Sequence, residues 1–289
     1  MNSYIRIAVN EDISSDELLR RQFCLSRHNL NSCKNEERFV LNGSVIRSDA
    51  QLHKGDELLF YFQKEEDISF KPVAYDLKVL YEDDLILIVD KPVGYIIHPD
   101  GTAENRRDYP VTVNNFVADY YRKTGQKHKV YNLHRLDIET SGCLLYCKES
   151  YLVSYFSHAI ENRQIKRSYL ALVEGIIRKD QIIDKPIGRD RHVSNRFRVS
   201  ATGKNAVTEV HVLNRGSGRS LVQCHLQTGR THQIRVHLSS IGHPIVGDTL
   251  YGAKENKRLM LHSHQVEFFS PLVSEIIKVT CPPEDSFSL

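Results

Sequence analysis

No stretch of this 289-residue chain approaches the roughly 18–20 consecutive apolar residues that a membrane-crossing helix needs. The opening Met1-Asn2-Ser3-Tyr4-Ile5-Arg6 lacks a basic segment followed by a cleavable apolar one, so no export signal is expected. Cysteine is sparse. Cys24, Cys33, Cys143, Cys147, Cys224 and Cys281 stand at irregular spacings in a chain large enough to do without covalent staples, which favours reduced thiols. Internal repeats and low-complexity tracts are also missing. Together these absences set aside membrane-spanning and disulfide-scaffold proteins and lead to the expectation of a soluble, cytoplasmic protein with no membrane partner. What is present, 40% apolar residues, suffices for a main domain and a small accessory one.

The net charge of +3 is too small to imply a polyanionic partner, but its distribution is uneven. Residues 1–70 hold 9 basic and 12 acidic side chains, whereas residues 71–289 hold 30 and 24. Within 163–204 there are 11 basic against 4 acidic, a local surplus suited to phosphates. On charge alone, a solvated basic surface explains the tract equally well.

The first 70 residues read as a helix over Asp16 to Cys24, an Asn42-Gly43 turn between short strands, and a strand through Leu58–Phe62 entered by Gly55-Asp56. This order resembles a divergent S4-like RNA-binding module, with Glu37-Arg38-Phe39 where the family pattern has a glycine. Its negative charge suits phosphate poorly, and a packing role stands beside RNA docking. A polar linker runs from Glu65 to Pro72. Beyond it, Leu77–Tyr81, Leu85–Asp90, Tyr95–His98, Cys143–Cys147, Ser168–Val173 and Leu221–Leu226 read as strands, and Val111–Lys123 and Ser150–Asn162 as helices. The order is mixed, so an α+β domain on a largely antiparallel sheet fits better than an alternating parallel fold. The expected division is 1–70 and 71–289.

The densest chemical signal is His134-Arg135-Leu136-Asp137-Ile138-Glu139-Thr140-Ser141-Gly142. One carboxylate stands between a basic pair and a hydroxyl-bearing turn, just before a buried strand, where scaffolds present reactive groups. A second motif is Thr228-Gly229-Arg230-Thr231-His232-Gln233-Ile234-Arg235, followed by Gly247-Asp248 and Tyr251-Gly252. Asp90-Lys91-Pro92-x-Gly94 and His98-Pro99 lie upstream. The ordered set, from about Tyr75 to Pro271, resembles the RluA-type RNA pseudouridine synthases.

That resemblance implies an isomerase that detaches uracil from C1′ of the ribose, turns it and rejoins it through C5, without cofactor or metal. Asp137 aligns with the family's catalytic aspartate and Tyr169 with its active-site tyrosine. Arg230 is carried over as the cation that keeps Asp137 ionised. Arg135 is offered as the wedge that fills the gap left by an extruded base, with a plain ion pair as the alternative. His134, Thr140, Lys166, Arg167, Thr231, His232 and Arg235 are expected on the substrate side, and Arg163, Lys166, Arg167, Arg189, Arg191, Arg196 and Arg198 along the RNA backbone with Phe197 interleaved. The expected partner is RNA, ribosomal first and transfer RNA second, bound by a monomer.

Two other readings stand beside this one. A binding-only ribosome-assembly protein would keep the fold but has no evident need for Asp137, Tyr169 and Arg230 together. A metal-dependent hydrolase would draw on His262-x-His264 or His232 and His237, but neither pair has the compact spacing of a zinc hydrolase motif.

Overall fold

The structure is a computed structural model, and residues 3–62, 66–99, 110–283 and 287 are described. Glu65, where the expected linker begins, lies outside them. A large mixed sheet runs through residues 79–280. Its strands stand in the order Gln181–Asp184, Val207–Gly216, Arg219–Leu226, Lys166–Glu174, Leu261–Ser270, Ser141–Cys147, Ile86–Lys91, Val79–Glu82. Glu275–Thr280 and Tyr131–Asn132 pair at the side with Leu261–Ser270 and Ser141–Cys147. Every described pairing in it is antiparallel except that of Ser141–Cys147 with Leu261–Ser270. The fold is therefore α+β on a mixed, largely antiparallel sheet, as expected.

Ser141–Cys147 is wholly buried because both of its faces are covered. Leu144 and Tyr146 pack with Phe116, Val117 and Tyr121 of the Val113–Lys123 helix, while Cys143, Leu145 and Cys147 join the cluster containing Phe156 and Phe268. A strand covered on both sides has no solvent-facing positions to fill with polar residues, hence its unbroken apolar run.

Tyr95–His98 departs from the expectation. It forms no strand, because the carbonyls of Ile96 and Ile97 accept from Val113 N (2.9 Å) and Asn114 N (3.1 Å). The segment serves the open amides at the helix N-terminus instead of a neighbouring strand. Thr112 closes the same end with a reciprocal capping box to Asn115.

The N-terminal residues build a four-stranded sheet (Tyr4–Ala8, Glu57–Tyr61, Phe39–Leu41, Ser44–Val45) with helices Ser15–Phe23 and Arg27–Asn35. Asn42 and Gly43 both take positive φ (46° and 83°), the geometry of a two-residue hairpin turn. This unit does not stand apart. Its Ile5, Phe23, Phe39 and Phe60 share one apolar cluster with Leu145, Phe156, Val266 and Phe268 of the large sheet. Arg38 Nη1 meets Glu149 Oε2 at 3.2 Å across the same junction, both side chains buried. Among the described residues, no helix is long and apolar enough to cross a membrane.

Candidate active site

Asp137 lies in the short loop that leads into Ser141–Cys147, and the loop is held rigidly from below. Thr140 N donates to Asp137 O (3.0 Å), closing a turn, and Gly94 N donates to Ile138 O (2.9 Å). Lys91 is fully buried, and its Nζ donates to the carbonyls of Pro92 (2.9 Å), Ile138 (3.0 Å) and Thr140 (3.0 Å). One ammonium thus ties the Lys91-Pro92 turn to both sides of the Asp137 loop. At Gly142, φ is +102° and an added Cβ would fall on the Ser263 carbonyl, so only glycine allows the strands to close there.

The second motif reaches Asp137 from the opposite side. His232 takes a left-handed backbone (φ 55°) immediately before the Gln233–Ser240 helix. The kink puts His232 and Arg235, three residues apart, on one side of the helix start. Arg235 Nη1 donates to Asp137 Oδ2 at 3.2 Å, while its Nε and Nη2 hold Asp248 at 2.7 and 2.8 Å. His232 Nε2 stands 3.9 Å from Asp137 Oδ2. Gln233 fixes the turn before the helix: its side-chain oxygen accepts from Arg230 N (3.0 Å) and Thr228 Oγ1 (2.7 Å), and its nitrogen donates to Val207 O (2.9 Å). Asp137, Tyr169, His232 and Arg235 all line one cleft of about 910 Å³, whose rim carries Arg135, Arg163, Arg167 and Arg230.

A family profile described as RNA pseudouridylate synthase matches residues 85–240, more than half of the chain and both motifs. The chain belongs to the RNA pseudouridylate synthase family. The RluA-type resemblance is borne out, and the activity is RNA pseudouridine synthesis, an isomerisation. The RNA pseudouridine synthase YhcT of Bacillus subtilis is 38% identical over 256 residues, covering 86% of this chain and 81% of that protein. The ribosomal large subunit pseudouridine synthase D of Nitrosomonas europaea is 36% identical over 239 residues, 78% of this chain and 68% of that one. Among solved structures, human RNA pseudouridylate synthase domain containing 1 aligns with a TM-score of 0.59 at 26% identity, covering 74% of this chain and 86% of that one.

Within this synthase, the residues singled out in the sequence divide into three groups. Asp137, Tyr169, Arg135, Arg167, Arg230, Thr231, His232 and Arg235 all line the cleft. Their arrangement differs from expectation in one respect: the cation against Asp137 is Arg235, not Arg230. Arg230 is exposed and its Nε donates to Asn205 O at 2.9 Å. Arg235 was expected on the substrate, but it is buried between two carboxylates.

His134 also lines the cleft, but its ring is buried and Nε2 accepts from Leu145 N (3.3 Å). Burial drives its pKa down to about 3, so it stays neutral and serves the loop. Thr140 and Lys166 fall outside the lining. Thr140 is buried beneath the loop, and Lys166 turns outward to pair with Glu267 Oε1 at 2.6 Å.

Burial raises the Tyr169 phenol above its ordinary value, with the Asp137 charge adding to the effect and Arg167 opposing it. At neutral pH it is an uncharged hydroxyl beside the carboxylate loop. Lys91 and Asp248 were noted in the motifs without a role, and both prove to hold the site together. The available signal was the lysine itself, a charged residue at the end of an apolar strand pattern.

Replacing Lys91 by Met should therefore loosen the Asp137 loop. Ile138 O keeps the Gly94 amide, but the Lys91 bonds to Pro92 O and Thr140 O are lost, for an expected loss of about 2–4 kcal/mol. Burial also pulls the Lys91 pKa from 10.5 to about 8, against the pull of Asp137 and Glu139. The native state then sheds this proton before the unfolded chain does, so its Lys91 contribution rises between pH 8 and 10.5 and falls as pH drops through 8. Urea melts of both proteins at pH 7 and pH 10 should show the variant's deficit widening at the higher pH. A deficit that does not change with pH would mean Lys91 titrates normally.

Proposed function

We propose that this synthase converts uridine to pseudouridine in large-subunit ribosomal RNA, by an Asp137-dependent, cofactor-free route that extrudes the target base. The observation carrying the reading is the Arg235–Asp137 pair at 3.2 Å on the wall of a cationic cleft. An arginine cannot give up its proton, so a permanent positive charge stands against the carboxyl group that would act at the ribose. Asp248 takes two of the guanidinium's donors and fixes its plane.

In the reaction the C1′–N1 bond breaks, a C1′–C5 bond forms, C5 loses its proton and N1 gains one. Asp137 supplies the negative charge at C1′, and the Tyr169 hydroxyl, beneath the base, assists proton movement at C5. A uracil in structured RNA must leave its stack first, at a cost of about a few kcal/mol. Arg135 can occupy the space it vacates. The cleft, about 910 Å³, falls within the range of about 300–1,000 Å³ typical of small-molecule sites, enough for one extruded nucleotide. Cytoplasmic action agrees with six free thiols.

The ribosomal target is supported by relatives named for the large subunit, at 36% and 33% identity. Arg163, Arg167 and Arg230 at the rim, with the ribbon formed by Ile187–Arg189 and Phe197–Val199, would follow the phosphates. Two measurements test the reading. Tritium should be released from [5-³H]uridine-labelled large-subunit ribosomal RNA and not from transfer RNA; the reverse preference would refute the ribosomal target. The dissociation constant should rise steeply with salt, with a log–log slope of about 3–4 if about five phosphates are engaged. A flat response would remove the ribbon and rim from the docking surface.

A further inference from the structure

Tyr251 belongs to the second motif set and has no part in the reaction as described so far. It is buried beneath His232 and Arg235, and its hydroxyl lies at a junction. Phe197 N donates to Tyr251 Oη at 3.1 Å, and the same oxygen stands 2.9 Å from His232 Nδ1. An amide can only donate, so the phenol's own hydrogen is not used by Phe197 and is available to His232 Nδ1. With the phenol donating to that nitrogen, the imidazole's proton resides on Nε2, the atom 3.9 Å from Asp137 Oδ2.

The ring is clamped as well as hydrogen-bonded. Phe197 and Tyr251 meet it edge-on at 5.8 and 5.7 Å between centroids. The Arg235 guanidinium rests over the same Tyr251 ring, 5.0 Å from its centroid. Both neighbours of Asp137 are thus seated on one phenol. The groups that bear on the imidazole are Asp137, Arg235 and Asp248, together with Tyr251 itself. Burial, assisted by Arg235, holds its pKa below the ordinary value against the pull of the two carboxylates, so the ring is neutral and can be fixed in one tautomer.

We propose that Tyr251 is a positioning residue whose hydroxyl fixes His232 as the Nε2–H tautomer, directing a neutral N–H donor at Asp137 and at the sugar bound beside it. A neutral donor can steady the carboxylate, or an oxygen of the substrate, without cancelling the charge that the reaction uses. The inference rests on the reading of Asp137 as the reacting carboxylate.

The test joins a spectroscopic readout to a kinetic one. Nitrogen-15 NMR of histidine-labelled full-length protein, with the His232 signals assigned by their loss in His232→Asn, should show the proton on Nε2 in the native protein. In Tyr251→Phe, which keeps the ring, that preference should be lost. A native His232 protonated on Nδ1 overturns the proposal whether or not any variant folds.

Under single-turnover conditions on [5-³H]uridine-labelled large-subunit ribosomal RNA, Tyr251→Phe should slow release about tenfold, roughly the worth of one hydrogen bond. RNA affinity should be unchanged. Because the effect passes through His232, the Tyr251→Phe/His232→Asn double variant should be no slower than His232→Asn alone. Multiplying effects, or a full rate with the tautomer preserved, would refute the role. If the native protein released no tritium from this RNA, the ribosomal reading would fall, and the NMR result would still decide the role of Tyr251.

Discussion

Asp137→Asn should abolish turnover while leaving the fold and RNA binding intact. Asparagine has the shape of aspartate, and its amide oxygen can still accept from Arg235 Nη1. The loop is held by backbone bonds to Lys91 Nζ, Gly94 N and Thr140 N, none of which involves the Asp137 side chain. Arg235 keeps both bonds to Asp248. The stability change should therefore stay within about 1 kcal/mol, as for a partly exposed ion pair.

The negative charge is lost, and with it the group proposed to act at the ribose. A fall of about 10⁴-fold or more is expected, the scale on which a reacting side chain contributes. Tritium release under single-turnover conditions reads the rate, and filter binding with the same RNA reads the affinity. Turnover within tenfold of the native rate in freshly purified Asp137→Asn would exclude Asp137 from the chemistry.

Arg235→Met should give the largest loss of stability. The Asp248 side chain is 1% exposed and takes two of the arginine's donors, so removing the guanidinium strands a buried carboxylate. Breaking one side of such a pair costs about 3–5 kcal/mol, mostly through the charge left behind. Activity should fall too, because Asp137 loses its cation. The two effects separate in a double variant. Arg235→Met/Asp248→Asn no longer buries an unpaired charge and should recover most of the stability, while turnover stays low. Chemical denaturation and tritium release on the three proteins measure both. Restored turnover in the double variant would mean that Arg235 serves only to neutralise Asp248.

The contrast between Arg230 and Arg235 marks where the sequence ceased to be legible. Both arginines lie in one eight-residue motif, and either could reach a carboxylate. What decides between them is the left-handed turn at His232, after which the helix starts at Gln233 and carries Arg235 inward. Arg230, before the turn, is left at the surface. A positive φ at a non-glycine residue has no plain sequence signature, so the helix start could not be placed to within the one residue that matters.

The Asp137 loop was readable for the opposite reason. An apolar run of strand type after a turn-prone segment fixes both the loop and the burial of Ser141–Cys147, because few arrangements satisfy both. The helix Val113–Lys123 and the Asn42-Gly43 hairpin were legible from local chemistry. Tyr95–His98 was not, since its backbone bonds go to a helix end some fifteen residues later. The docking of the N-terminal unit was equally hidden. Phe23, Phe39 and Phe60 announce a core, but not that it continues into Phe156 and Phe268. The 163–204 surplus could be read only as charge; its division into rim arginines and a separate ribbon depends on the strand pairing.

The most direct measurement is carbodiimide mapping of pseudouridine in total RNA from cells lacking this gene, from cells restored with the native chain, and from cells restored with Asp137→Ala. The account predicts that one or more reverse-transcription stops in large-subunit ribosomal RNA disappear on deletion, return with the native chain and stay absent with the variant. Stops that persist in the deletion strain, or return with Asp137→Ala, would contradict it.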